Sequence, residues 1–176
     1  FTSLSEKTTP TELVAILNKY FTLMTGEILK NKGVLDKYIG DAIMAFWGAP
    51  LKDEDQADNA IKASLGMIEK LKELNRELIA LGKPEINIGV GLYSGPAIVG
   101  NVGSELRFDY TAIGDTVNVA SRLEGLNKEY KTQLIVGESV KNKVKDNFNF
   151  RFLGKVSVKG RMEEINIYEV QLLGIK

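Results

Sequence analysis

Two long stretches of helical periodicity, separated by short apolar runs, constrain the fold of this chain more than any other feature. Residues 9–12, Thr-Pro-Thr-Glu, form a helix start with a capping box, and apolar residues then recur at helical spacing across 13–28. A second amphipathic stretch covers 53–81. The apolar runs at 34–38 and 42–47 flank a Gly-Asp turn, which predicts a β-hairpin between the two helices.

The rest of the chain repeats these two kinds of pattern. A strand is predicted at 86–93, where Gly89, Gly91 and the nearby Gly95 indicate close approach of another backbone or of a ligand. The further predictions, in chain order, are a hairpin partner for that strand at 97–102, an extended piece at 108–113, a helix at 115–130, a strand at 133–136, a short helix at 138–144, and an antiparallel pair at 148–158 and 165–172.

This order of elements predicts an α+β fold of the ferredoxin-like kind. One strand before the first helix would complete a βαββαβ core, to which the C-terminal elements are additions. We therefore expect residues 1–176 to form a single domain whose first strand lies upstream of Phe1. No internal repeat, low-complexity run or linker divides the chain.

The absence of two residue types narrows the chemistry. The chain has 0 Cys and 0 His, which excludes thiolate nucleophiles, Cys-ligated zinc and imidazole acid–base catalysis. The 23 basic and 23 acidic residues balance, which argues against a nucleic-acid-binding domain or a polybasic membrane domain. Catalysis must therefore use carboxylates, amines, guanidinium groups, hydroxyls, amides or a metal ion held by oxygen.

Packing alone does not explain the segment at 36–41, Asp-Lys-Tyr-Ile-Gly-Asp. A Lys, a Gly and an Asp crowd a tight hairpin between apolar strands. Asp41 at its tip offers a hard oxygen ligand suited to Mg²⁺ or Mn²⁺. The simpler alternative is a solvated turn with one ion pair.

Two further segments carry polar groups in unusual surroundings. Residues 111–122 place Asn118 and Arg122 one turn apart on a predicted helix. An exposed amide and an exposed Arg are the plain alternative, but small and apolar neighbours imply a partly buried helix, and a buried Arg requires an anion. Residues 158–161, Val-Lys-Gly-Arg, considered alone, favour a solvated turn.

In this order and spacing, the three segments resemble the catalytic domain of class III nucleotide cyclases. Residues 37–41 resemble the family's Lys-x-x-Gly-Asp hairpin, residues 91–95 and 99–104 its central hairpin, and residues 109–124 its longest signature. The resemblance covers essentially the whole chain. Diguanylate cyclases share the core fold, but this chain has no Gly-Gly-Asp-Glu-Phe run.

The resemblance implies roles in metal and purine binding. Asp41 matches the second of two aspartates that hold two Mg²⁺ or Mn²⁺ ions per active site, and the first aspartate is expected upstream of Phe1. Lys37 and Thr111 match the two purine readers, in the combination that the family uses for ATP rather than GTP. Asp109 lies on the same strand face as Thr111, but the alignment prefers Thr111.

The resemblance also implies roles in catalysis and in binding the rest of the substrate. Asn118 matches the residue that positions the ribose, and Arg122 matches the transition-state stabiliser. Lys159 matches a ligand of the triphosphate. Phe1 and Thr2 match the start of the segment that follows the first metal-binding strand, and we expect them to contact substrate.

The implied enzyme is an adenylate cyclase that converts ATP to 3′,5′-cyclic AMP and pyrophosphate. Family members are dimers with active sites between the subunits, so Asp41 of one chain would serve the same site as Arg122 of the other. Two alternatives remain: a non-catalytic cyclase-like module that dimerises or binds nucleotide, and a guanylate cyclase. We expect a cytoplasmic domain without membrane contact, regulated by domains outside this chain.

Overall fold

The computed structural model describes residues 2–158 and 162–171, a mixture of helices and antiparallel and parallel strands. Within these residues the helices are α1 (Thr2–Glu6), α2 (Pro10–Lys30), α3 (Gln56–Ala80), α4 (Asp115–Tyr130) and α5 (Glu138–Lys141). The strands are β1 (Val34–Ile39), β2 (Ala42–Phe46), β3 (Val90–Leu92), β4 (Ile98–Ser104), β5 (Arg107–Ile113), β6 (Leu134–Gly137), β7 (Asn149–Ser157) and β8 (Glu164–Gln171).

The two long helices are confirmed, and they pack antiparallel. The predicted capping box is present at the start of α2, where Thr9 and Glu12 bond each other's backbone amides. Lys83, just beyond α3, pairs with Glu12, while the Glu27 carboxylate near the other end of α2 lies against Gly66 of α3. The core between the helices also takes in Ile43 and Ala45 of β2, together with other apolar side chains.

Strand β6 is covered on both faces, as expected for a strand at the centre of a layered fold. Leu134 and Val136 pack with Ile61 and Ile68 of α3. Ile135, which points to the opposite face, packs with buried residues of α4. The sheet order around it is β3-β6-β8-β7, with β3 parallel to β6 and the other neighbours antiparallel. Helices α3 and α4 therefore lie on opposite sides of this sheet.

The predicted pairing of 86–93 with 97–102 is wrong. Strand β4 pairs with β5 over its whole length, from Ile98 opposite Ile113 to Ser104 opposite Arg107. The strand predicted at 86–93 is reduced to β3, and the side chain of Asn75 bonds both the amide and the carbonyl of Ile86. Those backbone groups are therefore satisfied without a neighbouring strand.

The α+β class is confirmed, and the strands form three separate sheets. Among the described strands, β2 pairs only with β1, and β3 pairs only with β6. Ile88, just before β3, nevertheless packs against the same core as Ile43 and Ala45 of β2. Within the described ranges, no helix has the length and apolar character needed to cross a membrane.

Candidate active site

The β1–β2 hairpin presents Asp41 at its tip. Ile39 pairs with Ala42, so Gly40 and Asp41 form a two-residue turn. Gly40 has a φ of +62°, which favours glycine at the first turn position. The Asp41 side chain is exposed and forms no hydrogen bond or ion pair with the described residues. The predicted position of Asp41 at a hairpin tip is confirmed, and its role as a metal ligand stays a prediction.

Asp41 also acts on its surroundings through its charge. Burial raises the pKa of Glu124, and the negative charge of Asp41 raises it further. Burial likewise raises the pKa of Tyr20 to about 12, with smaller contributions from Asp41 and Glu124. Asp41 therefore places negative charge close enough to helix α4 to act on Glu124.

One carboxylate does not make a complete metal site. Within residues 2–158 and 162–171, no three acidic side chains lie close enough together to hold an ion. Among these residues, Asp41 could supply one ligand to a metal ion but does not form a complete site.

Helix α4 carries Asn118 and Arg122 one turn apart, as predicted. Both side chains are exposed, whereas Val119 and Leu123, the residues that directly follow them, are buried against the β-sheet. The expectation that Arg122 is buried is wrong, because the apolar residues of α4 occupy the opposite face of the helix. The inference that burial forces an anion onto Arg122 therefore fails, although its exposed guanidinium still offers a fork for phosphate.

The backbone of β3 fixes the position of α4. A Cβ on Gly91 would lie 2.2 Å from the Glu124 amide nitrogen and 2.4 Å from the Ala120 carbonyl oxygen. Asn127 donates to the Val90 carbonyl at 2.9 Å and accepts from the Thr132 hydroxyl at 2.9 Å. The sequence prediction that glycines here allow close approach of another backbone is confirmed. The approaching element is the helix that carries Asn118 and Arg122.

Lys37 and Thr111, the two predicted purine readers, meet at a residue to which the sequence analysis gave no role. The carboxylate of Asp36 accepts a hydrogen bond from the Thr111 hydroxyl at 2.5 Å and one from the Ala112 amide at 3.2 Å. The ammonium of Lys37 lies 3.6 Å from the other carboxylate oxygen. An Asp inside an apolar strand was the available signal, because Asp is depleted in strands.

The remaining predicted site residues stand apart from these groups. Thr2 is exposed in α1, and Phe1 and Lys159 lie outside the described residues. No hydrogen bond or ion pair between described residues joins Asn118 or Arg122 to Lys37, Asp41 or Thr111. Within the part of the chain that the structure describes, Asp36 links the two predicted purine readers. Asn118 and Arg122 form a separate pair on α4.

Comparisons with known proteins show the family to which this chain belongs. Residues 1–171 match the family model described as the adenylate and guanylate cyclase catalytic domain. The chain belongs to this family. Adenylate cyclase 1 of Rhizobium meliloti is 42% identical to the cyclase domain over 170 residues, which cover 97% of this chain and 26% of that protein. The domain therefore spans about a quarter of that relative.

Solved cyclase structures are similarly close to this domain. The crystal structure of the adenylyl cyclase CyaB from P. aeruginosa superposes with a TM-score of 0.88 at 32% identity, covering 97% of this chain and 87% of that one. The guanylyl cyclase Cya2 superposes with a TM-score of 0.87, also at 32% identity, covering 97% and 85%. Overall similarity to solved structures therefore does not separate ATP from GTP as substrate.

Proposed function

We propose that this cyclase domain is an adenylate cyclase that forms 3′,5′-cyclic AMP and pyrophosphate from cytoplasmic ATP. The observation that carries the proposal is the junction at Asp36, where Lys37 and Thr111 from different hairpins contact one carboxylate. These are the two positions that the family resemblance assigns to purine reading, and their residue types are those associated with ATP.

The reaction joins the ribose 3′-oxygen to the α-phosphorus and breaks the bond between that phosphorus and the oxygen that leaves with pyrophosphate. The hydroxyl proton passes to solvent. When bound, two divalent cations, Mg²⁺ or Mn²⁺, would lower the pKa of the 3′-hydroxyl and brace the phosphate oxygens. Asp41 would supply one carboxylate ligand to these cations.

Asn118 and Arg122 act on the sugar and the phosphate. The Asn118 amide, which both donates and accepts hydrogen bonds, would orient the ribose. Arg122 would neutralise the charge that develops on the α-phosphate. Thr2, together with Phe1 and Lys159 beyond the described residues, completes the proposed substrate contacts.

Two chains would build each active site. Asp41 and Arg122 are exposed and do not contact each other within a chain, which supports sites shared across a two-fold dimer. The exposed apolar side chains of the two hairpins, Ile39, Ile98, Leu106 and Phe108, would be covered in such a dimer. Domains outside this chain would regulate the assembly.

The direct test is turnover of ATP and GTP by the full-length protein with Mg²⁺ or Mn²⁺. We expect cyclic AMP as the main product. Replacing Lys37→Glu together with Thr111→Cys should weaken ATP use and admit GTP, because the exchanged groups leave adenine atoms unpaired. Lys52→Glu, on an exposed lysine away from these contacts, is the matched control for charge. Faster GTP turnover by the unmodified protein would contradict the assignment, and no turnover of either nucleotide would favour a non-catalytic module.

A further inference from the structure

Asp36 occupies a β-bulge, and its side chain is buried in the protein interior. Leu35 pairs with Ala45 and Lys37 with Met44, so Asp36 is the extra residue of strand β1. Its side chain has 0% exposure. A fully buried carboxylate is costly unless hydrogen bonds and a cation compensate it, so its position requires an explanation beyond strand formation.

The contacts of Asp36 fix the direction of the hydrogen bond that the Thr111 hydroxyl forms. One carboxylate oxygen accepts the Thr111 hydroxyl proton and the Ala112 amide proton. Because a carboxylate has no proton to give, the Thr111 hydroxyl must be the donor in this bond. Thr111 is itself only 6% exposed, so water cannot easily compete for that proton. The hydroxyl is left with lone pairs alone for any further partner.

The second carboxylate oxygen has no hydrogen-bond partner among the described residues and lies 3.6 Å from the Lys37 ammonium. This charge holds Lys37 near the carboxylate that Thr111 also contacts, and the Lys37 ammonium can only donate hydrogen bonds. The place where Lys37 and Thr111 meet therefore offers one donor and one acceptor side by side. Opposite Thr111 on strand β4, no atom lies within 4 Å of the position that a Cβ on Gly100 would take, so the neighbouring strand presents open space there.

We propose that Asp36 is the positioning residue that sets the base preference of this domain, because it accepts the hydrogen bond from the Thr111 hydroxyl and so leaves that hydroxyl only an acceptor for the base. Adenine presents an amino donor at N6 and an acceptor at N1, which complements Thr111 and Lys37. Guanine presents the opposite pattern, an acceptor at O6 and a proton at N1. Thr111 and O6 would then both be acceptors, and Lys37 and N1 would both be donors. The inference rests on the proposed adenylate cyclase function and supplies a physical cause for its substrate choice.

The test compares acceptor-removing and acceptor-retaining substitutions in the full-length protein. Asp36→Ala and Asp36→Leu remove the acceptor, which frees Thr111 to donate to O6 of guanine. We expect the ratio of kcat/KM for ATP over GTP to fall by roughly tenfold or more. Asp36→Asn keeps a carbonyl oxygen for the Thr111 proton, so its overall activity should fall through loss of charge while the ratio stays near that of the unmodified protein.

Thr111→Val separates this inference from the proposed function. If Thr111 reads the base through Asp36, Thr111→Val lowers the ratio and Asp36→Leu adds no further change in that background. A Thr111→Val protein with an unchanged ratio would overturn the assignment of the reader itself. A lowered ratio for Thr111→Val with an unchanged ratio for a folded Asp36→Leu or Asp36→Ala protein would overturn only the role of Asp36.

Two further measurements accompany the kinetics. Thermal unfolding shows whether each variant is folded. Displacement of a fluorescent nucleotide by ATP and by GTP measures base preference in binding, which does not depend on turnover. If Asp36→Asn and Asp36→Ala lower the ATP-over-GTP ratio equally, the charge of Asp36 matters and its acceptor oxygen does not. That result would also overturn the inference. Should both acceptor-removing variants fail to fold, Asp36→Val also removes the acceptor and has a side chain that suits a β-strand. An unchanged ratio in that folded variant contradicts the proposal, and a lowered ratio supports it.

Discussion

At the scale of single residues, Arg122 combines an exposed guanidinium with a rigidly held backbone. The buried neighbours Val119 and Leu123 anchor its helix, so the side chain can be changed without opening the core. Functional groups presented in this way are suited to binding an anion that arrives from outside the chain. Removing Arg122 should therefore affect catalysis while leaving folding almost unchanged.

We predict that Arg122→Ala lowers kcat for cyclic AMP formation by roughly 10²–10³-fold, the usual effect of removing a preorganised electrostatic stabiliser. Arg122→Lys should recover only part of this loss, because an ammonium group lacks the bidentate fork. Steady-state kinetics and thermal unfolding measure the two effects. The matched control is Lys128→Ala, an exposed cation further along the same helix. An equally inactive Lys128→Ala protein would contradict a specific role for Arg122.

At the scale of elements, the contact between β3 and α4 positions the Asn118–Arg122 face. We predict that Gly91→Ala destabilises the domain by about 1–3 kcal/mol, because the new methyl group would overlap backbone atoms of α4. Activity should fall further than stability alone explains, since α4 must shift. Chemical unfolding and cyclic AMP assays measure both quantities.

Gly125→Ala is the matched control for that substitution. Gly125 lies in α4 itself, and nothing lies within 4 Å of its Cβ position. Alanine is there expected to stabilise the helix by about 0.5–1 kcal/mol. If Gly91→Ala were as harmless as Gly125→Ala, the tight packing of β3 on α4 would not govern the site.

The sequence predicted the helices better than the strand pairing, for physical reasons that particular residues make clear. Capping at Thr9 and apolar periodicity are local signals, so α2 could be read directly. The β4–β5 hairpin was missed because its turn is Glu105-Leu106, neither of which is a typical turn residue, while Gly95-Pro96 imitates a turn. Asp36 was missed because its partner Thr111 lies 75 residues away.

At the scale of the whole molecule, the functional groups divide into sets that one chain does not unite. Asp41 lies on a hairpin tip and Arg122 on an exposed helix face, and no described contact joins them. Under the proposed two-fold arrangement, each active site would need the first from one subunit and the second from the other.

This arrangement predicts complementation between inactive variants. Asp41→Ala and Arg122→Ala should each lose almost all activity alone. A mixture that exchanges subunits should regain part of it, up to about one intact site in each mixed dimer. Cyclic AMP formation is measured before and after mixing, with subunit exchange followed by a fluorescent label. A mixture that stays inactive despite exchange would show that each chain builds its own site.

If each active site is shared between two chains, as we propose, the rate per chain depends on how often two chains meet. At high dilution, separate chains would hold their catalytic groups in bulk water, and turnover would follow the square of the protein concentration. A neighbouring segment that tethers two chains would raise their effective concentration, to the millimolar range for a short flexible linker, by the usual arithmetic of linked binding events. A sensor attached to such a tether could then control the rate of cyclic AMP formation by changing the distance between the two subunits, with no rearrangement inside either one.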